Sequence, residues 1–149
     1  MYKHILVPTD GSPLSLKAAR EAAALAKRFK AKITAIHVTA PFAPPMSSEG
    51  MRVRHVGVLQ EVYRKSSQAN AAIALGKVEA VATAAKVACG KVHVTDDRPW
   101  DGIIRTAKRK RCDLIVMASH GRKGLAGLLL GSETLKVLTH SKTPVLVCR

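Results

Sequence analysis

The chain has 149 residues, 47% of them hydrophobic and 3% aromatic, and a formal net charge of +15 from 25 basic and 10 acidic side chains. That length suits one domain over residues 1–149, and the apolar content excludes a disordered chain. The charge is spread, +7 over residues 1–75 and +8 over 76–149, so it attracts polyanions in general and selects none of them.

Lys3 to Pro8 reads as a short buried strand, with Ile5, Leu6 and Val7 in succession. Thr9-Asp10-Gly11-Ser12-Pro13 is turn and cap chemistry, and a helix follows to about Lys30. Leu14, Ala18, Ala22, Leu25 and Phe29 fall on one face of it at helical spacing. Lys32 to Thr39 is the second strand. Residues 40–50 carry Pro41, Pro44, Pro45 and Gly50 and read as a long loop, either a cover for a site or a spacer. From about Arg54 to Ala88 the chain is Ala-rich and helix-forming, with Gly76 marking a kink or the approach of another helix.

Lys91 to Thr95 is the third strand. Pro99 opens a helix whose Trp100, Ile103, Ile104 and Ala107 repeat at i, i+3, i+4 and i+7. The cations from Arg105 to Arg111 lie on this helix and its end. No aromatic residues interleave them for base stacking, so nucleic-acid binding is not expected. Asp113 to Met117 is the fourth strand, Ser132 to His140 a short helix, and Pro144 to Cys148 the fifth strand. Strict alternation of strand and helix means a parallel sheet with helices on both faces. Ligands of such sheets bind beyond the strand carboxyl ends. If the first and fourth strands are neighbours, the loops after them border one crevice.

Cys89, Cys112 and Cys148 match no zinc or redox spacing and read as free, buried thiols of a reducing compartment. No signal peptide precedes the first strand and no apolar run approaches the length of a membrane span, so a cytoplasmic protein is expected.

Two loops carry the chemistry. In the first, Asp10 offers only acceptors and suits the two hydroxyls of a ribose, while Asp10 or Ser12 can equally cap the helix. The second runs from Ala118 to Ser132. Its glycines permit positive φ and close backbone approach, and the helix it feeds points a positive dipole end at a phosphate. Ser132 can cap that helix or donate to a phosphate oxygen. Arg122 and Lys123 can screen phosphate charge, and His120 can touch the ligand or be a plain turn residue. The chain lacks G-x-x-x-x-G-K-[ST] and G-x-G-x-x-G, so it is neither a P-loop NTPase nor a dinucleotide-binding fold. No carboxylate cluster or His pair suggests a protein-held metal. A phosphorylated ligand, in particular a nucleotide, is the expectation.

With both loops in place, the chain resembles the universal stress protein family. The likeness rests on Ile5-Leu6-Val7-Pro8-Thr9-Asp10-Gly11-Ser12, on Ile36-His37-Val38 and on Asp113-Leu114-Ile115-Val116-Met117-Ala118-Ser119-His120-Gly121. Leu129-Leu130-Gly131-Ser132 and Thr143-Pro144-Val145-Leu146-Val147 complete it. The resemblance implies a Rossmann-like, adenine nucleotide alpha hydrolase-like fold with strand order 3-2-1-4-5. It also implies a homodimer formed through the edge strand Val145, Leu146 and Val147. The ATP-binding branch carries G-x-x-G-x9-G-[ST]. Here Gly121, Gly131 and Ser132 match, and Ala118 stands where the first glycine is expected, adding a methyl and disfavouring positive φ.

Carried over by position, the resemblance puts Pro8, Thr9 and Asp10 at the nucleoside, with Asp10 on the ribose, and Val38 at adenine through its backbone. Met117 and Ala118 would floor the crevice, with His120 and Arg122 near the ligand. Gly121, Gly131, Ser132 and Glu133 would hold the phosphates, largely by backbone N–H. Magnesium or manganese would bind through phosphate oxygens and water. The implied function is an ATP-binding stress-response protein acting as a dimeric sensor or switch. The alternatives are a slow ATP hydrolase and a dimeric interaction module without nucleotide.

Overall fold

A computed structural model describes residues 1–44, 54–121 and 130–149. The elements are β1 (His4–Pro8), α1 (Pro13–Phe29), β2 (Lys32–Thr39), α2 (Arg54–Ala84), β3 (Cys89–Thr95), α3 (Pro99–Lys110), β4 (Leu114–Ala118), α4 (Ser132–His140) and β5 (Val145–Cys148). The strands form one parallel sheet in the order β3-β2-β1-β4-β5, as expected. β1 lies between β2 and β4, with Ile5 opposite both Ile33 and Leu114. Ile5, Leu6 and Val7 are therefore covered on both faces and fully buried, which explains their unbroken apolar run.

The two sides of the sheet carry separate cores. On one side α1 and α2 pack over Ile5, Val7, Ile33 and Val116; on the other, Ile103, Ala107 and Val137 pack over Leu6, Ile36 and Ile115. The side-chain period of two along β1 sends Leu6 to one core and Ile5 and Val7 to the other. The buried face of α1 is Ala18, Ala19, Ala22, Ala23 and Ala26, while Leu14, Leu25 and Phe29 are half-buried at its margins. The expected stripe is thus rotated. Small side chains let the helix approach the sheet closely, and the larger ones border the contact.

Ser12 caps α1, its Oγ accepting the N–H of Ser15 at 3.2 Å. α1, α2 and α3 end in the same manner: Lys30, Lys86 and Arg111 follow them with φ of 55°, 60° and 56°. The N–H of Ala31 reaches back to the Ala26 carbonyl at 2.8 Å, and that of Cys112 to Ala107 at 2.8 Å. These are left-handed helix ends of the kind usually occupied by glycine. Gly76 sits inside the continuous helix α2, and beyond the helix's own backbone no atom lies within 4 Å of where its Cβ would stand, so it admits no close neighbour. β3 begins at Cys89, two residues before the expected start, because Cys89 and Gly90 pair with Ile33 and Thr34. The three cysteines are free; Cys112 and Cys148 are buried and Cys89 half-buried. Burial, with the Asp113 carboxylate adding to it, pushes the Cys112 thiol up to about 11.

Of the long loop expected over 40–50, residues 45–50 lie outside the described residues. Its start is fixed. The Tyr63 hydroxyl donates to the Ala40 carbonyl at 2.6 Å, and the Phe42 and Tyr63 rings are 5.6 Å apart. Among the described residues no helix is long and apolar enough to cross a membrane.

Candidate functional site

Because β1 and β4 are neighbours, the loops after them open side by side at the carboxyl end of the sheet. A cleft of about 180 Å³ lies between them. Pro8, Thr9 and Asp10 line it from the first loop; Met117, Ala118, His120 and Gly121 line it from the second. Val38 of β2 and Glu133 of α4 join them. Nine of the twelve residues expected at a ligand site thus meet in one cleft. Gly131 and Ser132 stand beside it at the start of α4, and Arg122 lies outside the described residues, as does Lys123.

The first loop is held by its own polar groups. The Thr9 Oγ1 accepts the N–H of Gly11 at 3.1 Å and lies 3.1 Å from the Ser15 hydroxyl. His37 of β2 donates Nδ1–H to the Thr9 carbonyl at 2.8 Å. Beside His37, burial and then the neighbouring imidazole hold His93 below its usual 6.5. Gly11, with φ of 78°, supplies the left-handed turn. Asp10 accepts the N–H of Ser12 on Oδ1 at 2.9 Å, which fixes the plane of its carboxylate. The two roles weighed for this loop are therefore divided: Ser12 caps α1, and Asp10 closes the turn with its second oxygen directed toward Gly121.

The second loop leaves β4 at Ala118, whose carbonyl accepts the Thr134 hydroxyl at 3.0 Å. Ala118 is in extended strand and belongs to the core beneath α1. The penalty for positive φ expected at this alanine therefore does not arise. Neither Gly121 nor Gly131 adopts a positive φ. What both positions require is close approach. A Cβ on Gly121 would lie 2.7 Å from Asp10 Oδ2, and one on Gly131 would lie 3.1 Å from His120 Cα. The Gly131 N–H also bonds the Ser119 carbonyl at 2.7 Å, pinning the start of α4 to the end of β4. His120 Nδ1 is 3.1 Å from the Ser119 hydroxyl.

Gly131, rather than Ser132, is the N-cap of α4, and as a glycine it has no side chain with which to cap that helix. Its first turn borders the cleft through Glu133 and Thr134, so its first N–H groups and the positive end of its dipole stand there, an arrangement suited to an anion. Glu133 does not extend its carboxylate to the same place. Its Oε2 accepts the N–H of Trp100 at 2.9 Å, so it caps the first turn of α3, and its Oε1 lies 3.4 Å from Lys136 Nζ. Any part it takes in holding phosphate falls to its backbone.

Five lining residues were not expected: Ser15, Ile36, Pro99, Ile103 and Thr134. Ile36 was legible, since it precedes Val38 by two on one strand face. The other four come from helices whose approach to the cleft no local pattern encodes. Together Ile36, Val38, Ile103 and Met117 make an apolar wall, and Asp10 and the α4 N-terminus stand as polar groups beside it. An apolar wall with a few fixed polar groups suits a planar base carrying a polar, charged tail. Among the described residues no three His, Cys, Asp or Glu side chains are placed to hold a metal ion.

This sheet order with a cleft at its reversal point defines an α/β protein of the doubly wound kind. The model of the universal stress protein family matches residues 1–149, and the chain belongs to that family. It is 36% identical over 153 residues to universal stress protein MJ0531 of Methanocaldococcus jannaschii, covering all of this chain and 83% of that one. Among solved structures it is similar to the MJ0577 protein of the same organism, with a TM-score of 0.73 and 27% identity over 99% of this chain and 96% of that one. It is also similar to a universal stress protein solved in complex with cAMP, with a TM-score of 0.67 and 28% identity over 98% and 95% of the two chains.

Proposed function

We propose that this chain is an ATP-binding stress-response protein that works in the cytoplasm as a homodimeric sensor or switch, residues 1–149 forming one domain. The observation that carries the reading is the cleft between the β1 and β4 loops, where Asp10 meets Gly121 beside an α4 N-terminus whose N-cap is a glycine. The similarity to a universal stress protein in complex with cAMP supports an adenine nucleotide as the ligand class. Adenine would rest against Val38 and Met117, with Pro8 and Thr9 shaping the nucleoside end and Asp10 receiving the ribose hydroxyls. The amides of Gly121, Ser132 and Glu133 would meet the phosphates, with His120 and Arg122 alongside and Gly131 setting the start of the helix. Magnesium or manganese would be carried by phosphate oxygens and water, which fits a cleft whose acidic side chains are engaged elsewhere.

The dimer would form through β5, the sheet edge at which Leu146 is 41% exposed. An apolar edge strand is a hazard unless a partner covers it. Titration calorimetry with ATP, AMP and cAMP tests the ligand, paired with mass spectrometry of nucleotide released on denaturing fresh protein. Saturable ATP binding is expected. No heat at millimolar nucleotide together with no released nucleotide would overturn the assignment and leave the interaction module. Sedimentation of the Leu146→Glu variant tests the edge, with a shift from dimer to monomer expected.

A further inference from the structure

The end of the sheet opposite the candidate cleft carries basic residues on both of its faces. Helices of a parallel α/β sheet run against the strands, so the carboxyl ends of α1, α2 and α3 gather there. A groove between α1, α2 and the start of β2 is lined by Lys27, Lys30, Lys32 and Lys86 over a floor of alanines and Val87. It contains no carboxylate. Across the sheet, Lys108, Arg109, Lys110 and Arg111 continue the basic surface from the end of α3. Lys32 and Lys110 both act electrostatically on His4 and on Cys112, which places cations from the two sides over one end of the molecule.

Helix ends attract cations, but that attraction is too small to account for these. Each helix end carries roughly half a negative charge. Three of them amount to less than two charges, against the four lysines of the groove and the four cations of 108–111. Asp113 is engaged by the N–H groups of Lys3 and His4. Among the described residues none of the groove lysines makes an ion pair or a side-chain hydrogen bond. Lys30, Lys86 and Arg111 moreover occupy left-handed positions that glycine would adopt without strain. Charge is thus kept at these three positions against a conformational cost.

We propose that this face binds the phosphodiester backbone of a nucleic-acid duplex without reading its sequence. The two groups of cations belong to helices on opposite faces of the sheet, roughly 20 Å apart at about 10 Å per packed layer, and a duplex presents about one negative charge per 1.7 Å of axis, or about twelve phosphates over that distance. Cations thus stand at both ends of this distance, farther apart than a compact phosphate ligand reaches. The groove is recessed, so a convex backbone ridge enters it while a flat bilayer surface does not. Aromatic side chains are absent from the groove as they are from the Arg105–Arg111 run, which argues against the base-stacking mode on which the sequence expectation turned and leaves contact to the backbone of a paired duplex. The inference stands apart from the nucleotide assignment, which concerns the other end of the sheet.

Fluorescence anisotropy with a labelled duplex of about 20 base pairs and arbitrary sequence, between about 50 and 200 mM salt, tests it. Binding should weaken steeply with salt. The triple variant Lys27→Gln, Lys30→Gln, Lys86→Gln should bind at least about tenfold more weakly at the low-salt end, with a log–log salt slope shallower by about 2.7. The variant Lys17→Gln, Arg20→Gln, Lys65→Gln has the same net charge and should behave as the unmodified protein. Arginine at positions 27, 30 and 86 should retain binding, which separates lost charge from lost fold. Equal weakening of the two glutamine triples would overturn the proposal, as would no duplex binding at low salt. Capture by phosphatidylserine vesicles in preference to the duplex would overturn it in favour of a lipid surface.

Discussion

Oδ2 of Asp10 lies so near Gly121 that a methyl group there would stand 2.7 Å from it. The two residues come from different loops, and their contact closes one wall of the cleft. The obstructed atom is the end of a side chain, but one held by the Ser12 N–H, so Gly121→Ala should turn Asp10 aside and cost the fold about 0.5–1.5 kcal/mol, the worth of that hydrogen bond. ATP affinity should fall about tenfold, equivalent to about 1.4 kcal/mol. Calorimetry beside a urea titration separates the two effects. Unchanged affinity would remove Asp10 from the site.

Gly131 faces backbone instead. A Cβ there would meet His120 Cα at 3.1 Å and the Ser119 carbonyl at 3.3 Å. Neither atom can move without shifting the end of β4. Gly131→Ala should therefore destabilise the protein by about 1–3 kcal/mol, read as a lower urea midpoint.

Glu133 offers the converse case. Its carboxylate caps α3 through the Trp100 N–H. Glu133→Gln keeps an acceptor for that N–H and removes a negative charge from the first turn of α4. Stability should change little and ATP affinity should rise a few-fold. Glu133→Ala deletes the acceptor and should cost about 1 kcal/mol.

The His4 imidazole is buried, with Nε2 2.8 Å from the Thr34 hydroxyl. Burial, and then the Lys32 ammonium, hold it below its usual 6.5. The folded state therefore binds its proton less readily than the unfolded chain. The contribution of His4 is complete above pH 6.5 and is lost as the pH falls through its lowered value. Unfolding free energy should decline below pH 6.5 by up to about 1.4 kcal/mol per pH unit for this proton. His4→Gln should flatten that limb, as denaturant titrations across the acid range would reveal.

Lys30 holds φ of 55° at the end of α1. A left-handed residue other than glycine costs about 1–2 kcal/mol, and glycine returns part of this through its own freedom when unfolded. Lys30→Gly should therefore raise stability by about 0.5–1 kcal/mol in thermal or urea melts. Under the basic-face inference it should also weaken duplex binding.

Local pattern made some of these features legible. β2 runs from Lys32 to Thr39 as read, because its branched residues stand between a helix end and a proline-rich turn. α4 likewise runs from Ser132 to His140 as read, since Gly131 marks its start. The site residues on β1, β2 and β4 were accessible because each lies at a strand carboxyl end, where this topology puts ligands. The role of the two loop glycines was only half legible: sequence distinguishes a residue without a side chain from the others, but not a crowded glycine from a left-handed one. The carboxylate of Glu133 turning to α3 depends on where a helix 33 residues earlier comes to lie. The basic face was legible only in its Arg105–Arg111 run; Lys27, Lys30, Lys32 and Lys86 come from the ends of separate elements and become neighbours only when the sheet is assembled.

α2 spans 31 residues, yet from His55 onward its buried side chains begin only at Ala71 and continue through Ala74, Leu75, Val78 and Ala82. The turns before Ala71 overhang the sheet, with Val58 and Val62 largely exposed and the Tyr63 hydroxyl moored to Ala40. One continuous helix thus has two mechanical regimes, a clamped half and a cantilevered half. Amide hydrogens of the outer turns should exchange with solvent well before those beyond Ala71, so that the helix opens from its outer turns while the sheet beneath it remains closed.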